Sequence, residues 1–351
     1  MRPHYCILFM LFVFLSCSGS DIIDETDNPN VISASSINAD NSMYVAFPSI
    51  ASNPSQSRIV VVFREGETHT SFDGKIIQVE SYDKGKSWSD KHIIYTPPVG
   101  SDARDPQLLT LNDGTLLCRF FERSTDSTSV IKCLRSSNYG VSYDSAVTFP
   151  FPNSKIHFAA ARGNMALVDN TIYSVCYGKF DYSWLVKSND SGKSWQYISA
   201  VDAALGTAKS SFNRINEASL GYIDGTLNII ARETSAGLGF IQWGESSNKG
   251  SSWDWSFLPF KGHAPSLSYF KDNTYVTTFR NVTDTTNYSF DLALIRDGSI
   301  TKGPITLFKS TTSDMGYGDL LFLPNYFIVC CYQPGRIRCY LIDYNIFSGA
   351  N

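Results

Sequence analysis

One eight-residue pattern, Ser-x-Asp-x-Gly-x-Ser-Trp, constrains the fold of this chain more than any other feature of its sequence. Full copies span residues 81–88 and 188–195, and looser copies with Asn in place of Asp span residues 136–143 and 246–253. Their starts are 55, 52 and 58 residues apart, a spacing that suits one four-stranded sheet per copy. The Asp or Asn side chain closes a turn onto the backbone, and the Gly takes a conformation that a Cβ would penalise. We therefore assign these copies a structural role and no catalytic one.

A second repeat joins two apolar strands across a short polar turn. Its copies start near six residues, Phe47, Asp105, Gly163, Glu217, Ala264 and Gly318. An Asp-Gly step between apolar runs, as at 113–114, is a strong hairpin signal. The chain is also rich in Gly, Tyr and Phe and has few helical stretches, so we predict an all-β protein, a six-bladed β-propeller over residues 42–351. No room remains for an outer strand after Tyr344, so a strand near residues 43–46 is expected to complete the last blade.

The first 41 residues carry targeting signals rather than folding signals. Residues 5–15 form an apolar run that is too short to span a bilayer, and Ser16-Cys17 ends it, which resembles a bacterial lipoprotein cleavage site. We predict a signal peptide over 1–17, lipidation of Cys17 and a flexible acidic tether over 18–41. The protein is then expected to be secreted and held at the bacterial outer membrane by its lipid alone, facing the cell surface or the periplasm.

Composition argues against several classes of partner. The net charge is −4 and no basic stripe occurs, so we expect no binding to nucleic acid. Most cysteines after Cys17 fall inside apolar strand patterns, where Cys acts as a small buried hydrophobe, and no spacing suggests a metal site. Cys331 and Cys339 flank a short turn and are placed to pair across a hairpin. With no nucleotide-binding loop either, we predict a monomer without cofactors.

Charged and aromatic residues mark the two ends of the innermost strands. The first strands of the six copies start at Ala46, Arg104, Arg162, Asn216, His263 and Tyr317. The second strands end at Arg64, Phe121, Tyr177, Arg232, Arg280 and Tyr332. In a propeller these ends converge at the hub, and charged groups gathered there are typical of a binding or catalytic site.

The repeated turns resemble the Asp-boxes, or BNR repeats, of the sialidase (neuraminidase) superfamily, and the resemblance covers residues 43–345. That family binds a substrate carboxylate with three Arg residues and uses a Tyr nucleophile activated by a Glu, with an Asp as acid/base. Glu217 and Arg232 resemble its Glu and second Arg, Arg280 its third Arg, and Tyr317 its nucleophile. A guanidinium fork matches a planar carboxylate, and a phenol, with an ordinary pKa of about 10, needs a base.

Two departures from the family pattern concern the first Arg and the acid/base. The segment where the family has its first Arg reads Ala46-Phe47-Pro48, so Arg64 or Arg104 is expected to reach the same space.

The acid/base Asp is expected in the loop over residues 65–74, which contains Asp73. His69 in the same loop and Asp105 are the alternatives. We also expect His69, His263 and Asp105 to bind substrate.

These residues predict a retaining exo-glycosidase that releases a terminal acidic sugar, sialic acid or a relative. Tyr317 would attack the anomeric carbon, Glu217 would take its proton, and Asp73 would serve as acid/base. Two alternatives stay open. One is a polysaccharide lyase that cleaves uronate polymers with Tyr and His, and the other is a surface lipoprotein that binds sialylated or other acidic glycans without turnover.

Overall fold

The computed structural model describes residues 22–25, 28–37, 42–178, 182–201, 214–234, 239–284 and 286–348. Within these ranges the chain forms antiparallel β-sheets, with one short 3-10 helix at Tyr344–Phe347 and no α-helix. Nothing helical in the described ranges has the length and apolar character needed to cross a membrane. The predicted signal peptide and Cys17 lie outside the described residues.

The described strands, numbered in chain order, form five sheets. The first contains β3 (Tyr44–Ser52), β4 (Ile59–Gly66), β5 (Lys75–Ser81) and β6 (His92–Tyr95). The second contains β7 (Ser101–Thr110), β8 (Leu116–Ser124), β9 (Ser129–Ser136) and β10 (Val147–Thr148). The third contains β11 (Ala159–Ala160), β12 (Ala166–Val168), β13 (Thr171–Gly178), β14 (Ser183–Ser188) and β15 (Gln196–Ala200).

The remaining strands belong to two sheets. The fourth sheet contains β16 (Ile215–Ile223), β17 (Thr226–Glu233), β18 (Phe240–Ser246), β19 (Asp254–His263), β20 (Ser268–Lys271), β21 (Thr274–Asn281), β22 (Tyr288–Arg296), β23 (Ser299–Ser310) and β1 (Ile22–Glu25). The fifth contains β24 (Gly316–Phe322), β25 (Phe327–Gln333), β26 (Arg336–Ile342) and β2 (Val31–Ile37).

The nine-stranded fourth sheet consists of two halves. Strands β16 to β19 form one half, and β20 to β23 with β1 form the other. They meet where Gly262 and His263, at the end of β19, pair with Asn281 and Arg280 of β21. With the halves counted separately, the described chain contains six successive units. Units 1 to 3 are the first three sheets, units 4 and 5 are the two halves, and unit 6 is the fifth sheet.

Apolar side chains fill the junctions between consecutive units. Among the described residues, six buried clusters occur, one at each junction along the chain and one that joins unit 6 back to unit 1. Strand β4 shows the pattern, because Ile59, Val61 and Phe63 pack towards unit 6 whereas Val60 and Val62 pack towards unit 2. An uninterrupted apolar run of this kind suits a strand buried on both faces.

A buried carboxylate also ties inner strands of different units together. Asp319 of β24 accepts hydrogen bonds from the Ser49 hydroxyl (2.6 Å) and the Ile50 amide (3.0 Å) of β3. It also accepts one from the side-chain amide of Gln107 in β7 (3.0 Å). Units 6, 1 and 2 therefore share one polar contact beneath their apolar junctions.

The repeated Ser-x-Asp pattern forms the same turn in all four copies, between the last two strands of units 1 to 4. In the first copy Ser81 Oγ donates to Asp83 (2.8 Å), the Gly85 amide donates to Ser81 Oγ (2.8 Å), and the Ser87 amide donates to Asp83 (2.9 Å). The other copies repeat these bonds. A Cβ added to Gly85 would collide with Ile328 of unit 6, so the turn fits closely against the neighbouring unit.

The N-terminal segment differs from the expected tether. Strand β2 lies within the predicted tether and pairs with β26, from Val31 opposite Ile342 to Ile37 opposite Ile337, while β1 pairs with β23. The expectation of a flexible segment was therefore wrong for these residues. An outer strand does complete the last sheet, but it is β2 rather than residues 43–46, which enter the inner strand β3. The alternation of small and apolar residues in β2 carried too weak a signal.

The cysteine pairing also differs from the expectation. The disulfide joins Cys330, rather than Cys331, to Cys339. Cys330 lies directly opposite Cys339 in the pairing of β25 with β26, with their Cα atoms 4.2 Å apart. A register one residue away from the assumed one turns the neighbouring Cys331 to the other face of the sheet.

Gly85→Ala tests the fit of the repeated turn, with Gly114→Ala as its matched control. Both residues have left-handed backbone (φ 86° and 83°), but an added Cβ meets Ile328 at Gly85 and open space at Gly114. We expect the control to lose about 1–2 kcal/mol of unfolding free energy from backbone strain, and Gly85→Ala to lose roughly 1–3 kcal/mol more from overpacking. Urea unfolding of both variants measures the difference, and equal losses would contradict the close fit.

Candidate active site

Each unit has a residue with left-handed backbone at a corresponding position near the start of its second repeat. These residues are Phe47 (φ 60°), Asp105 (49°), Gly163 (81°), Glu217 (48°), Ala264 (52°) and Tyr317 (50°). In units 1, 2, 4 and 6 the strand register shifts at this point, as expected of a bulge that re-aims a side chain. Such backbone costs about 1–2 kcal/mol for a residue other than Gly, and this kind of strain clusters at functional sites.

The strand pairing confirms most of the predicted alignment of the inner strands. Directly opposed are Ala46 and Arg64, Arg104 and Phe121, Asn216 and Arg232, and His263 and Arg280. In unit 3 Tyr177 faces Ala160 rather than Arg162. In unit 6 Tyr332 faces Gly316, so Tyr317 lies one position later than predicted and belongs with the left-handed residues.

Tyr317 and Glu217 meet although 100 residues separate them in the chain. The Tyr317 hydroxyl donates to Glu217 Oε1 at 2.5 Å. The other carboxylate oxygen accepts from Arg232 Nη1 at 3.3 Å and from the Ala264 amide at 3.1 Å. Side chains from units 4 and 6 and a backbone amide beside unit 5 therefore converge on one buried carboxylate.

The surroundings of this pair set its resting protonation. Burial alone would raise the pKa of Glu217, but the charge of Arg232, the Tyr317 hydroxyl and the charges of Arg280 and Arg162 lower it to about 2. Burial and the Glu217 charge raise the pKa of Tyr317 well above its ordinary value. At neutral pH the pair is therefore a protonated phenol beside an ionised carboxylate that can accept the phenol proton.

Arg280 and His263 border the pair on the side of Arg232. Arg280 donates to the carbonyls of Ser313 and Met315 and, through Nη2, to His263 Nδ1 at 3.0 Å. Its Nε has no hydrogen-bonding partner among the described residues. Burial, together with the charges of Arg232 and Arg280, lowers the pKa of His263 to about 4. The imidazole is therefore neutral, and its Nε2–H is left as a donor.

Arg162 is a site residue that the predicted binding set did not include. Its side chain is buried, and its Cζ lies 4.8 Å from the centre of the Tyr317 ring. Its guanidinium donates to the carbonyls of Pro265 (2.7 Å) and Gly318 (3.2 Å). The cation therefore faces the ring rather than a ligand, a position that favours negative charge on the phenol oxygen. The sequence did offer one signal for Arg162, because it is among the residues at which the first strands of the six copies start.

Arg64 does not lie where a ligand could reach it, contrary to the prediction. Its side chain is fully buried, and its Nε donates to Asp102 at 2.7 Å. The remaining donors bind the carbonyls of Thr68 (3.0 Å) and Ser71 (3.2 Å). Arg64 thus holds the loop over residues 67–74. Arg104 is closer to the centre, but it donates to Asp102 and to the His69 carbonyl.

Asp73 closes its own loop through its carboxylate. Its carboxylate accepts from the Glu67 amide at 3.0 and 3.3 Å and lies 4.0 Å from Arg64 Nη2. Among the described residues, no hydrogen bond or ion pair joins Asp73 to Tyr317 or Glu217. The carboxylate of Asp73 is used by the turn that ends the loop, and its role as acid/base stays a prediction.

Asp105 faces the centre with one oxygen unused. It is buried, and its Oδ1 has no hydrogen-bonding partner among the described residues. Burial raises the pKa of Asp105 to about 6; the nearby charges of Arg104 and Arg162 oppose the rise, and that of Glu217 adds to it. A carboxyl group of this kind changes protonation in mildly acidic solution.

His69 lies beside the centre in a polar cluster with Asp314, Tyr44 and Tyr332. Asp314 Oδ1 accepts from the hydroxyls of Tyr44 (2.7 Å) and Tyr332 (2.8 Å) and from His69 Nδ1 (2.9 Å). Sequence reasoning noted His69 but not its partners, which come from distant segments of the chain. No group of three or more His, Cys, Asp or Glu side chains in the described ranges is arranged to hold a metal ion.

Comparisons with known proteins support the fold. A protein of unknown function from Dyadobacter fermentans superposes with a TM-score of 0.74 at 22% identity, covering 89% of this chain and 98% of that one. Hadza microbial sialidase Hz136 gives a TM-score of 0.68 at 16% identity, covering 88% and 67%. The intramolecular trans-sialidase of Ruminococcus gnavus gives 0.68 at 13% identity, covering 92% and 99%. The chain has a sialidase-like fold. No family model and no curated protein matches the sequence.

Asp105→Asn tests the electrostatics of the centre through stability. Because the pKa of Asp105 rises from 3.8 to about 6 on folding, ionisation opposes folding, and stability falls as the pH rises through this interval. The neutral variant is expected to be more stable than the parent by about 2–3 kcal/mol at pH 7.5 and nearly equal to it at pH 4. Urea unfolding at both pH values measures this, and equal differences at the two pH values would contradict it.

Glu217→Gln should behave in the opposite way. The pKa of Glu217 falls from 4.5 to about 2 on folding, so its ionised form stabilises the protein above pH 4.5, and this contribution is lost as the pH falls towards 2. The variant is therefore expected to be less stable than the parent by about 3 kcal/mol at pH 7.5, with a smaller deficit near pH 3. A stabilised variant at pH 7.5 would contradict the assigned charge state.

Proposed function

We propose that the six units form a closed, six-bladed β-propeller of the sialidase type, with the candidate site at its hub. The apolar junction between units 6 and 1 supports closure of the ring. So does the pairing of β2, from the chain start, with β26 near the chain end. The likeness to sialidase structures supports the same arrangement.

We further propose that the protein is a retaining exo-glycosidase that releases a terminal acidic sugar, sialic acid or a relative. The observation that carries this proposal is the 2.5 Å hydrogen bond between Tyr317 and the buried Glu217 carboxylate. Tyr317 attacks the anomeric carbon and forms a glycosyl–enzyme bond while its proton passes to Glu217. A neutral phenol as the nucleophile avoids the repulsion that a carboxylate nucleophile would meet from an anionic sugar.

Arg232 and Arg280 are the residues proposed to bind the sugar carboxylate. Arg232 is partly exposed, with 29% of its side-chain surface accessible, whereas Arg280 is largely buried and donates to His263 and to two backbone carbonyls. Ala46 stands where the family pattern has a first Arg, and Arg64 is fully buried. Two guanidinium groups and the neutral His263 donor therefore bind the anionic end. We expect weaker carboxylate binding than three Arg residues would give.

The place of action is likewise a proposal. Lipidation at Cys17 would hold the enzyme at the outer membrane, where it would meet sialylated or other acidic glycans. The lyase and binding-only alternatives become outcomes of the activity test.

Tyr317→Phe is the decisive variant, with Tyr269→Phe as its matched control because Tyr269 is an exposed aromatic residue outside the site. The parent is expected to release sialic acid from an aryl sialoside between pH 4.5 and 7.5, with retention at the anomeric carbon by NMR. Tyr317→Phe should lose roughly a thousandfold or more in kcat, and the control should keep its activity.

Three results would count against the glycosidase. Activity that survives Tyr317→Phe would show that Tyr317 is not the nucleophile. An unsaturated, ultraviolet-absorbing product from a uronate polymer, without sialoside hydrolysis, would identify a lyase. Binding of sialylated glycans by the parent without any turnover would identify a binding protein.

A further inference from the structure

A His–Asp pair borders the candidate site and has no part in the function proposed above. His69 Nδ1 lies 2.9 Å from Asp314 Oδ1. The Tyr44 hydroxyl donates to the same oxygen and lies 2.6 Å from His69 Nδ1, and the Tyr332 hydroxyl donates to it as well. Although burial opposes ionisation, these bonds hold the pKa of Asp314 below its ordinary value. One ionised carboxylate thus orients the imidazole.

These contacts define which nitrogen of His69 is available. Because Nδ1 donates to the ionised Asp314, the second nitrogen, Nε2, faces away from that carboxylate. It lies 3.3 Å from Arg104 Nη2. The His69 side chain keeps 41% of its surface accessible, so a ligand can approach it.

A shared aromatic neighbour links His69 to the nucleophile. The Phe47 ring centre lies 5.6 Å from the His69 ring and 5.0 Å from the Tyr317 ring. The imidazole and the phenol therefore border the same buried ring and lie in the same part of the molecule. A proton donor placed across the substrate from the nucleophile is the arrangement that a retaining glycosidase needs.

The backbone around His69 is held by buried charges. Arg64 and Arg123 both donate to the fully buried Asp102, at 2.7 and 2.9 Å. Arg64 also donates to the Thr68 carbonyl, and Arg123 to the Thr70 carbonyl (2.9 Å). Two arginines on one carboxylate thus fix the residues on either side of His69, which is the support that a precisely placed functional side chain requires.

We propose that His69 is the acid/base of this site, with Asp314 as its positioning residue, and that Asp73 does not fill that role. The proposal rests on the glycosidase function proposed above. In the first step the bond from Tyr317 to the anomeric carbon forms, the bond to the leaving oxygen breaks, Glu217 gains the phenol proton, and protonated His69 gives its Nε2 proton to the leaving oxygen.

The second step reverses these transfers. Water attacks the anomeric carbon and gives a proton to His69 Nε2, while Tyr317 leaves and recovers its proton from Glu217. The charged groups in contact with the imidazole are Asp314 at Nδ1 and Arg104 at Nε2. The hydroxyls of Tyr44 and Tyr332 bind the same Asp314 oxygen.

Two substrates with different leaving groups test this assignment. Nitrophenolate leaves without a proton, whereas the sugar hydroxyl released from sialyllactose needs one. We expect His69→Gln to lose roughly a hundredfold or more in kcat/KM on sialyllactose and less than about tenfold on nitrophenyl sialoside. Activity kept on nitrophenyl sialoside also reports that the variant is folded. Asp73→Asn and the exposed His92→Gln are the controls, and each should change both rates by less than about threefold.

Asp314→Asn tests the positioning role separately. A neutral amide no longer requires the Nδ1 proton, so the ¹⁵N shifts of His69 should move from the Nδ1–H form towards the Nε2–H form. These shifts are assigned by their loss in His69→Gln. An unchanged tautomer of His69 would show that Asp314 does not position it.

The outcomes separate this proposal from the glycosidase function. Equal losses on both substrates in His69→Gln, or a selective loss on sialyllactose in Asp73→Asn, would overturn the role of His69 and leave the glycosidase intact. A parent without turnover on either substrate would overturn the glycosidase function and, with it, the role of His69.

Discussion

The candidate site depends on one buried, ionised carboxylate, that of Glu217. It accepts hydrogen bonds from Tyr317, Arg232 and the Ala264 amide, which belong to three different parts of the chain. A buried carboxylate is stable only when donors and positive charge replace its lost water. The same contacts that stabilise the ion therefore also fix the hydroxyl of the proposed nucleophile. Structural and chemical roles cannot be separated at this residue.

The rest of the molecule offsets the cost of this centre. Left-handed backbone at Phe47, Asp105, Glu217 and Tyr317 and several partly paired buried charges oppose folding. The apolar junctions between successive units supply the favourable term, and one of them includes Phe47 and packs against Tyr317. The repeated turns with Asp83 and its counterparts lie away from the site, between the outer strands. The fold thus places backbone strain at the inner strands, directly beside close apolar packing.

Sequence patterns predicted the all-β class, the repeated units and the meeting of Tyr317, Glu217, Arg232 and Arg280. Each depends on local chemistry, such as Asp-Gly turns and apolar strands that end in charge. Other features depend on register or on long-range contacts, which spacing does not encode. Three such features are the one-residue offset at Tyr317, the pairing of Cys330 with Cys339, and the binding of Arg64 to the backbone of a loop.

The residues around His69 show most clearly what could not be predicted from the sequence. Asp314 and Tyr44 lie 270 positions apart, and no spacing in the sequence indicates that they meet. Asp73, by contrast, satisfied the family spacing, yet its carboxylate closes its own turn. The role of a residue is therefore indicated less well by its type and position in the sequence than by the hydrogen-bond donors and acceptors that surround it.

The pairing of β2 with β26 has a consequence for how the protein matures. The sheet that carries Tyr317 takes its outer strand, β2, from far ahead of its other strands in the chain, so that sheet stays incomplete until β26 has been synthesised and has met β2. Contacts between chain ends form slowly, because the intervening loop must first be ordered. Until then β26 presents an open edge that can pair with another molecule. Strand β2, which precedes the inner strands in the chain, therefore completes and protects the edge of the last sheet.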